Sequence, residues 1–428
     1  MVFSLFSRGV ALTLGLSACG LNVALAQGDV NDPTQISVPN ERPSPPPIIK
    51  PLDWKNVPEI VGSQIGAPRV GLYAGFTRLV FDLPKGTANL GNVKVTNDAG
   101  GFSLEFSGVF APPLSSRGTP TLADMTKARL RVLSDVSPEL SSWTLSSGQY
   151  GTVATVKVPY GVRPNSGGYK LLILPSDAES PNDRVVLDLG PAYANRQPVP
   201  LEQYWVAPFP AGTKIVLDPG HGGTDPGAIG AVLEKATNLR MGLLVRDLLI
   251  AAGAEVLMSR QDDRVFSKNK PADLLARAML GKAPQTLFVS LHVNAMPKQN
   301  YLRGYGVETW WYPNHPESLR LAQTIEKAVL EQTGAFPRQV NSASLAVLRQ
   351  SEIPASLVEI GFTSHPVDGE NLKNDNYLER VALGVATGIR NFVGSSRVPD
   401  VLPTAVPSKL PAAPASPSLP VPDKLPGT

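Results

Sequence analysis

Lys214–Gly223, with the sequence KIVLDPGHGG, is the stretch that decides the fold of this chain. Its apolar run is typical of a buried strand, and the glycines that follow predict a sharp turn beside His221. From here to Phe392, short apolar runs alternate with segments that have helical spacing. The strands are predicted at 214–218, 254–259, 286–293, 306–312 and 355–360, and the helices at 236–252, 272–280, 317–332 and 376–392. This alternation predicts an α/β domain, a mostly parallel twisted sheet with helices on both faces.

The part before this domain has a different pattern. Between about Ile65 and Leu189, short runs of β-branched and apolar residues are separated by clusters of Pro, Gly, Asn and Ser. Such runs predict a β-sandwich-like domain with antiparallel strands. The runs are Arg78–Leu83, Phe102–Phe106, Ala128–Leu133, Thr152–Val158, Leu171–Leu174 and Arg184–Leu189.

Proline-rich segments separate and follow these two domains, and they set the predicted organisation of the chain. Proline-rich stretches favour extended polyproline II structure and cannot pack a core. We therefore predict an export signal at 1–27, a Pro-rich linker at 28–64, the β-rich domain at 65–190, a linker at 191–212, the α/β domain at 213–394 and a disordered Pro-rich tail at 395–428.

Composition excludes several classes of protein. The chain has 428 residues, of which 42% are hydrophobic, so wholesale disorder is excluded. The net charge of +3 is too weak and too dispersed to indicate a nucleic-acid partner. A single cysteine excludes a disulfide framework and a cysteine-based zinc site, so a metal site would have to use histidines and carboxylates.

The first 27 residues are typical of an export signal. Arg8 is the only charge before the apolar stretch Gly9–Ala18, which is shorter than the roughly 20 residues that a membrane-spanning helix needs. Two cleavage sites are open: a lipobox-like sequence that would leave Cys19 lipidated, and an A-x-A site that ends at Ala26. Both predict an exported protein of the periplasm or cell envelope, without a transmembrane helix in the mature chain.

Three residues could form a metal site. His221 and His292 follow or end predicted strands of one sheet, where α/β proteins place their sites, and Glu234 lies near the start of the helix after the first turn. Two histidines and a carboxylate with an open fourth position are typical of catalytic zinc. A phosphate-binding loop is excluded because no Gly-Lys-Ser/Thr follows. The alternatives are an incidental histidine in a turn, a hydrogen-bonded histidine at a strand end, and a helix N-terminal acid.

Glu359 is a candidate for proton transfer. It lies inside the apolar run LVEIGF, and a carboxylate there is costly to bury unless it is paired or functional. A zinc site that activates water needs such a group to move the proton. The alternative is a structural glutamate paired with an arginine.

One family has the same motifs in the same order. The runs IVLDPGHGGTDPGAIG, LEK, SLHVNA, GVETWW and SLVEIGFTSHP, within about Lys214–Val393, resemble the zinc-dependent N-acetylmuramoyl-L-alanine amidases of the amidase-3 type. The resemblance implies hydrolysis of the peptidoglycan amide between the lactyl group of N-acetylmuramic acid and L-alanine. It also implies Zn²⁺ held by His221, Glu234 and His292, and catalysis by Glu359.

This chain departs from the family at one place near the catalytic strand. The family often has Ser-Asn-Pro where this chain has Ser364-His365-Pro366, which puts the fit of the substrate in doubt. His365 and His315 are additional histidines that we do not assign as ligands.

The β-rich region resembles, more weakly, the AMIN-type domains that precede such amidases. The cues are Thr77–Leu83 and Arg184–Leu189. That resemblance implies binding to the wall or to a septal or envelope partner, and the alternative is an unrelated spacer. For the whole chain, the resemblance implies cell-wall remodelling or daughter-cell separation. The other functions left open are a non-catalytic peptidoglycan-binding protein and a zinc peptidase that cuts within the stem peptide.

Overall fold

The computed structural model describes residues 48–395 apart from 51, 53–56, 58, 61, 67, 90, 99, 111–136, 138, 164–166 and 179. The predicted export signal with Cys19, most of the first linker, the predicted strand Ala128–Leu133 and the predicted tail from residue 396 lie outside the described residues. Within the described ranges, no helix combines the length and the apolar character needed to cross a membrane.

The β-rich region forms two antiparallel sheets in its described part. Its strands are β1 (Ile48–Lys50), β2 (Arg69–Tyr73), β3 (Phe76–Leu83), β4 (Val93–Asp98), β5 (Gly101–Ser107), β6 (Ser142–Ser147), β7 (Gly151–Lys157), β8 (Tyr169–Leu174) and β9 (Asp183–Leu189). One sheet has the order β1-β2-β3-β9-β8 and the other β4-β5-β7-β6. Strands β1, β2, β4 and β6 were not predicted. β1 lies in the segment predicted as a Pro-rich linker, and β2 is a short run that contains Gly71. β4 and β6 are rich in polar, partly exposed residues.

The two sheets pack face to face on one apolar core. Phe81 of β3 meets Phe106 of β5 with ring centroids 5.2 Å apart, and Leu187 and Trp143 belong to the same cluster. Alternate residues of each strand face this core, which is the pattern expected of strands that pack on one side. The structure therefore confirms the predicted β-sandwich-like region.

The second region is an α/β domain. Its strands are β10 (Lys214–Pro219), β11 (Glu255–Met258), β12 (Leu287–Asn294), β13 (Val307–Trp311), β14 (Pro337–Ser342) and β15 (Ala355–Phe362). Its helices are α1 (Glu234–Ala251), α2 (Lys270–Ala278), α3 (Ser318–Thr333), α4 (Ala346–Arg349), α5 (Pro366–Lys373) and α6 (Asp375–Gly394). The sheet order is β11-β10-β12-β15-β13-β14. Of these neighbouring pairs only β13 with β15 is antiparallel, so the mostly parallel sheet is confirmed.

Helices cover both faces of this sheet, as predicted. On one face α1, α3 and α6 pack on the strands through residues such as Val245, Ile325 and Val381. On the other face α2 and α4 pack on residues that include Phe288, with Leu348 buried between. The carboxyl ends of the parallel strands meet at one edge of the sheet, which is the usual place of a site in such folds.

The segment predicted as the second linker, 191–212, packs on the α/β domain. Val199 and Phe209 are buried in its core, and Arg380 of α6 donates to the carbonyl of Gln197 over 2.7 Å. From the β-rich side, Arg163 donates to the carbonyl of Gly334 over 2.8 Å. The contacts of Gln197, Val199 and Phe209 attach the segment to the α/β domain, and the Arg163 bond joins the β-rich region to it directly. The domain boundaries themselves remain predictions.

Candidate metal centre and active site

His221, Glu234 and His292 meet at the carboxyl edge of the α/β sheet. His221 follows β10, Glu234 is the first residue of α1, and His292 lies in β12. One ligand atom from each lies within 4.8 Å of the others. Oε1 of Glu234 is 3.2 Å from Nε2 of His221 and 2.9 Å from Nδ1 of His292. The fold therefore brings together, in a geometry able to hold a metal ion, the three residues that were predicted separately.

The turn after β10 owes its shape to one glycine and to the strained backbone of His221. A side-chain carbon on Gly220 would lie only 2.2 Å from the His292 ring, so any larger residue would push the two histidines apart. His221 itself adopts φ +62°, a left-handed conformation that costs energy for a residue other than glycine. Arg277 donates to the His221 carbonyl over 2.8 Å and supports this conformation.

A buried polar network around Asp218 stabilises the same turn. Asp218, at the end of β10, accepts from the side chains of Arg277 (2.8 Å), Ser259 (2.6 Å) and Ser290 (2.8 Å). Burial alone would raise the pKa of Asp218, but the Arg277 charge and the two hydroxyl donors bring that pKa below its ordinary value. Arg260, also buried, donates to the carbonyls of Pro219 and Gly220. The backbone that carries His221 is therefore held by two arginines.

Hydrogen bonds also orient the ligand side chains. Oδ2 of Asp225 lies 2.9 Å from Nδ1 of His221, an arrangement that directs Nε2 toward the cluster. Glu234 accepts from the backbone N–H of Ala228 over 2.6 Å and of Val293 over 3.2 Å. Burial opposes charge on His221, but the hydrogen bonds and charges of Asp225 and Glu234 outweigh it and raise the pKa of His221 to about 9. Burial likewise opposes charge on Glu234, yet the two histidines hold its pKa well below the usual range.

Glu359 lies beside this cluster on the central part of the sheet edge. In the register of the sheet it is opposite His292 of β12 on one side and opposite Glu308 of β13 on the other. Its buried Oε2 makes no hydrogen bond within the described part of the chain. Burial raises the pKa of Glu359 well above its ordinary value, and the charges of Glu234 and Glu308 add to this. The structure thus shows an unpaired acid, and not the arginine-paired glutamate that was the alternative.

Sequence reasoning did not identify Glu308, Asn294 or Arg338 as part of this edge. Glu308 accepts from Asn294 Nδ2 over 2.6 Å and from Arg338 Nε over 3.0 Å. Glu308 stands in the apolar run VETWW, so the signal that identified Glu359 could also have identified it. Arg338 lies in the polar edge strand β14, where a charged residue is ordinary, and no local signal distinguishes it.

Comparisons with known proteins show the family to which the chain belongs. A family model described as N-acetylmuramoyl-L-alanine amidase, Amidase_3, matches residues 215–391. The chain is 31% identical over 201 residues to the germination-specific N-acetylmuramoyl-L-alanine amidase of Bacillus subtilis, covering 44% of this chain and 82% of that protein. This chain belongs to the N-acetylmuramoyl-L-alanine amidase family.

Other amidases match a similar share of this chain. The probable cell wall amidase LytH of Staphylococcus epidermidis is 32% identical over 188 residues, which are 43% of this chain and 60% of that protein. Among solved structures, the N-acetylmuramoyl-L-alanine amidase from Clostridium difficile 630 is 29% identical and covers 43% of this chain and 98% of its own, with a TM-score of 0.39. The family model itself lies within the α/β domain.

Of the two additional histidines of this amidase-family chain, His365 caps a helix and His315 lies shortly before one. Nδ1 of His365 accepts from the backbone N–H of Val367 over 3.2 Å at the start of α5, and His315 accepts from the N–H of Glu317 just before α3. Burial lowers the pKa of His365 to about 3, so its ring is neutral. The departure from Ser-Asn-Pro therefore places a histidine at a helix N-cap, a position that asparagine also favours.

Proposed function

We propose that this protein is an exported zinc-dependent N-acetylmuramoyl-L-alanine amidase that cleaves peptidoglycan in cell-wall remodelling or daughter-cell separation. The observation that carries the proposal is the convergence of His221, Glu234 and His292 beside the unpaired acid Glu359 at one sheet edge. Membership of the amidase family indicates which bond is cleaved, the amide between N-acetylmuramic acid and L-alanine.

The donor atoms of the cluster suit zinc. Two imidazole nitrogens and one carboxylate oxygen form the set expected of a catalytic zinc site that keeps a fourth position open. We assign His221, Glu234 and His292 as the ligands, with Asp225 orienting the ring of His221. Zinc bound there would supply a nucleophilic water at neutral pH and polarise the amide carbonyl.

Glu359 is the proton carrier in this proposal. Its carboxylate accepts a proton from the attacking water and returns it to the nitrogen of L-alanine as the amide C–N bond breaks and a C–O bond forms. The products are the free lactyl carboxylate and a stem peptide with a free amine. Burial raises the pKa of Glu359 above its ordinary value, and Glu234 and Glu308 add to this, which favours the protonated form that donates to the leaving nitrogen.

The bond specificity is tested by digesting purified peptidoglycan and identifying the fragments by mass spectrometry. We expect stem peptides that begin with a free L-alanine amine and muramic acid with an intact lactyl carboxylate. Cleavage between stem amino acids would instead show a zinc peptidase. Binding without cleavage by metal-loaded protein would show a non-catalytic wall-binding protein.

The ligand assignment is tested by metal analysis. We expect one zinc per chain in the purified protein, and a strong loss of zinc and of hydrolysis in His221→Ala and in His292→Ala. His315→Asn is the matched control, because this histidine accepts from the N–H of Glu317 just before α3 and stands outside the cluster. Full zinc and full activity in both alanine variants would contradict the assignment.

The remaining parts of the proposal concern location and partners. We infer that export places the enzyme in the periplasm or cell envelope, with either a lipid anchor at Cys19 or cleavage after Ala26. The β-rich region would bind the wall or a septal or envelope partner, as its AMIN-like motifs imply. Radiolabelled palmitate incorporated into the native chain but not into Cys19→Ser would support the anchor, and absence of label in both would support simple secretion.

A further inference from the structure

Polar side chains form a row across four neighbouring strands at the carboxyl edge of the sheet. His292 of β12, Glu359 of β15 and Glu308 of β13 are opposite one another in the register of the sheet. Residues opposite each other on adjacent strands share a face. Arg338 of the edge strand β14 completes the row through its ion pair with Glu308. The row therefore runs from His292 of the candidate metal centre to the positive charge of Arg338.

The guanidinium of Arg338 is fixed on two sides. Nε donates to Oε2 of Glu308 over 3.0 Å, and Nη1 donates to the carbonyl of Arg303 over 3.2 Å. Its central carbon also lies 4.8 Å from the ring centroid of Phe362, the last residue of β15. These contacts hold the planar group in one orientation. A quarter of the Arg338 side chain is exposed, so the group stays accessible to solvent.

One side of this guanidinium is left for a ligand. Among hydrogen bonds to described residues, Arg338 uses only Nε and Nη1, and none involves Nη2. A guanidinium presents several N–H donors in a rigid plane, which matches the geometry of a carboxylate. Glu308 is largely buried, and its two oxygens are already bonded by Asn294 and by Nε of Arg338. The remaining donors of Arg338 are therefore not needed to stabilise the charge of Glu308.

The distance between Arg338 and Glu359 limits which part of a bound substrate Arg338 can contact. Adjacent strands lie about 4.8 Å apart, so two strand spacings place the backbone of Arg338 in β14 roughly 10 Å from the backbone of β15. The side chain of Arg338 reaches back over part of this distance, since its guanidinium lies against the ring of Phe362 in β15. An extended peptide advances about 3.5 Å per residue. A group on the residue that follows L-alanine would therefore come within reach of Arg338 when the amide lies at Glu359.

We propose that Arg338 binds a carboxylate of the stem peptide, carried by the residue that follows L-alanine. The inference rests on the proposed function, since it takes the amide at Glu359 as the scissile bond. The cation thereby makes the enzyme selective for stem peptides in which this carboxylate is free over those in which it is a carboxamide. Arg338 is a specificity-determining residue and takes no part in the proton transfer.

The test compares two synthetic substrates, muramoyl-L-alanyl-D-glutamate with a free α-carboxylate and the same compound with a carboxamide. We expect the native full chain to prefer the carboxylate, and Arg338→Gln to lose roughly 10- to 100-fold in kcat/KM for it, mainly through KM. For the carboxamide, the loss of kcat/KM in Arg338→Gln should be much smaller than for the carboxylate. Arg338→Lys should recover only part of the loss because it keeps the charge but not the planar fork.

Arg349→Gln is the matched control, because Arg349 is an exposed arginine of α4 that donates to Ser344 and lies outside the row. Thermal unfolding and zinc content of each variant verify that fold and metal are retained. An equal loss of kcat/KM on both substrates would overturn the proposal and reduce Arg338 to a support for Glu308.

Calorimetric binding to the Glu359→Gln variant separates this inference from the proposed function. Tighter binding of the carboxylate compound than of the carboxamide, lost on adding Arg338→Gln, supports the carboxylate subsite whether or not the native chain cuts the amide. Equal binding of both compounds would overturn the subsite. Failure of the native chain to hydrolyse either compound, with selective binding retained, would refute only the proposed function.

Discussion

Two strands of this chain each bury an acid in an apolar run, and the structure uses the two acids differently. Asp188 in β9 of the sandwich accepts two hydrogen bonds from Arg78, at 2.6 and 2.8 Å. Glu359 in β15 of the α/β domain has a buried Oε2 without a hydrogen-bond partner in the described chain. A buried carboxylate is stabilised by an arginine and is costly without one. The first acid therefore stabilises the fold, and the second is the residue that we propose for proton transfer.

The same contrast holds for the surroundings of each acid. In the sandwich, Asp82 of β3 repeats the pattern of Asp188, since Arg69 bonds both of its oxygens. At the α/β sheet edge, Glu359 faces other acids, Glu234 and Glu308, and these raise its pKa further. Clusters of like charge next to potential metal ligands occur where they are functional, because they destabilise the fold otherwise.

The largest expected effect tests the functional side of the comparison. Glu359→Gln should lose roughly 10²- to 10⁴-fold in turnover, because an amide of the same shape cannot accept the water's proton. Its fold and zinc content should be retained, since a neutral group suits this buried position. Assays of wall hydrolysis, metal content and thermal unfolding check the prediction. Turnover like that of the native protein would assign Glu359 a structural role, as in Asp188.

A second prediction asks whether the α/β region can be separated from the sandwich. A fragment that begins at Lys214 loses Val199 and Phe209, whose burial contributes about 4 kcal/mol in total. We expect this fragment to be strongly destabilised, whereas a fragment of residues 190–395 should fold and hydrolyse wall material without an activator. Urea unfolding and activity of both fragments test this. A fully stable shorter fragment would show that residues 191–212 are a free linker.

The structural side of the comparison is tested by Asp188→Asn. This change leaves Arg78 without its carboxylate partner at a buried position, and we expect about 3 kcal/mol of lost unfolding free energy. Turnover per folded molecule should be unchanged, because Asp188 lies in the sandwich. Chemical denaturation combined with specific activity measures both quantities. A loss of activity in fully folded protein would mean that the sandwich acid also serves the site.

The smallest expected effect concerns another buried acid, Glu326 of α3, whose Oε2 also makes no hydrogen bond to a described residue. Burial raises the pKa of Glu326 from 4.5 to about 7, and the charge of Glu308 adds to this. Between these values the folded chain keeps a proton that the unfolded chain releases. The unfolding free energy therefore falls as the pH rises from about 4.5 to 7, and below 4.5 the contribution of Glu326 to this dependence is absent.

Glu326→Gln removes that dependence. We expect it to match the native protein at pH 4 and to be more stable by at most about 3 kcal/mol at pH 8, with unchanged turnover at both. Denaturation curves across this pH range provide the measurement. A stability difference that does not vary with pH would show that Glu326 stays ionised or neutral throughout, and the comparison would then rest on Glu359 alone.

Much of the fold could be predicted because its signals are local. Apolar residues at helical spacing place α3 and α6 within a few residues of their observed bounds, and apolar runs place β10, β12 and β15. Strand β14 was missed because it is an edge strand whose residues are all partly or fully exposed, so it lacks both an apolar run and strict alternation. Because β14 was not predicted, the position of Arg338 at the sheet edge was not predicted either.

The sequence by itself determined which residue types follow which strands, and hence that two histidines, Glu234 and Glu359 belong to one sheet edge. It could not separate Glu359 from Asp188, because both are single acids in similar apolar runs. Only the tertiary structure decided that Asp188 has an arginine 110 residues away in sequence and that Glu359 has acids and candidate metal ligands as neighbours. The physical reason is that burial and partners are properties of packing between distant segments, whereas propensity and periodicity are properties of neighbours along the chain.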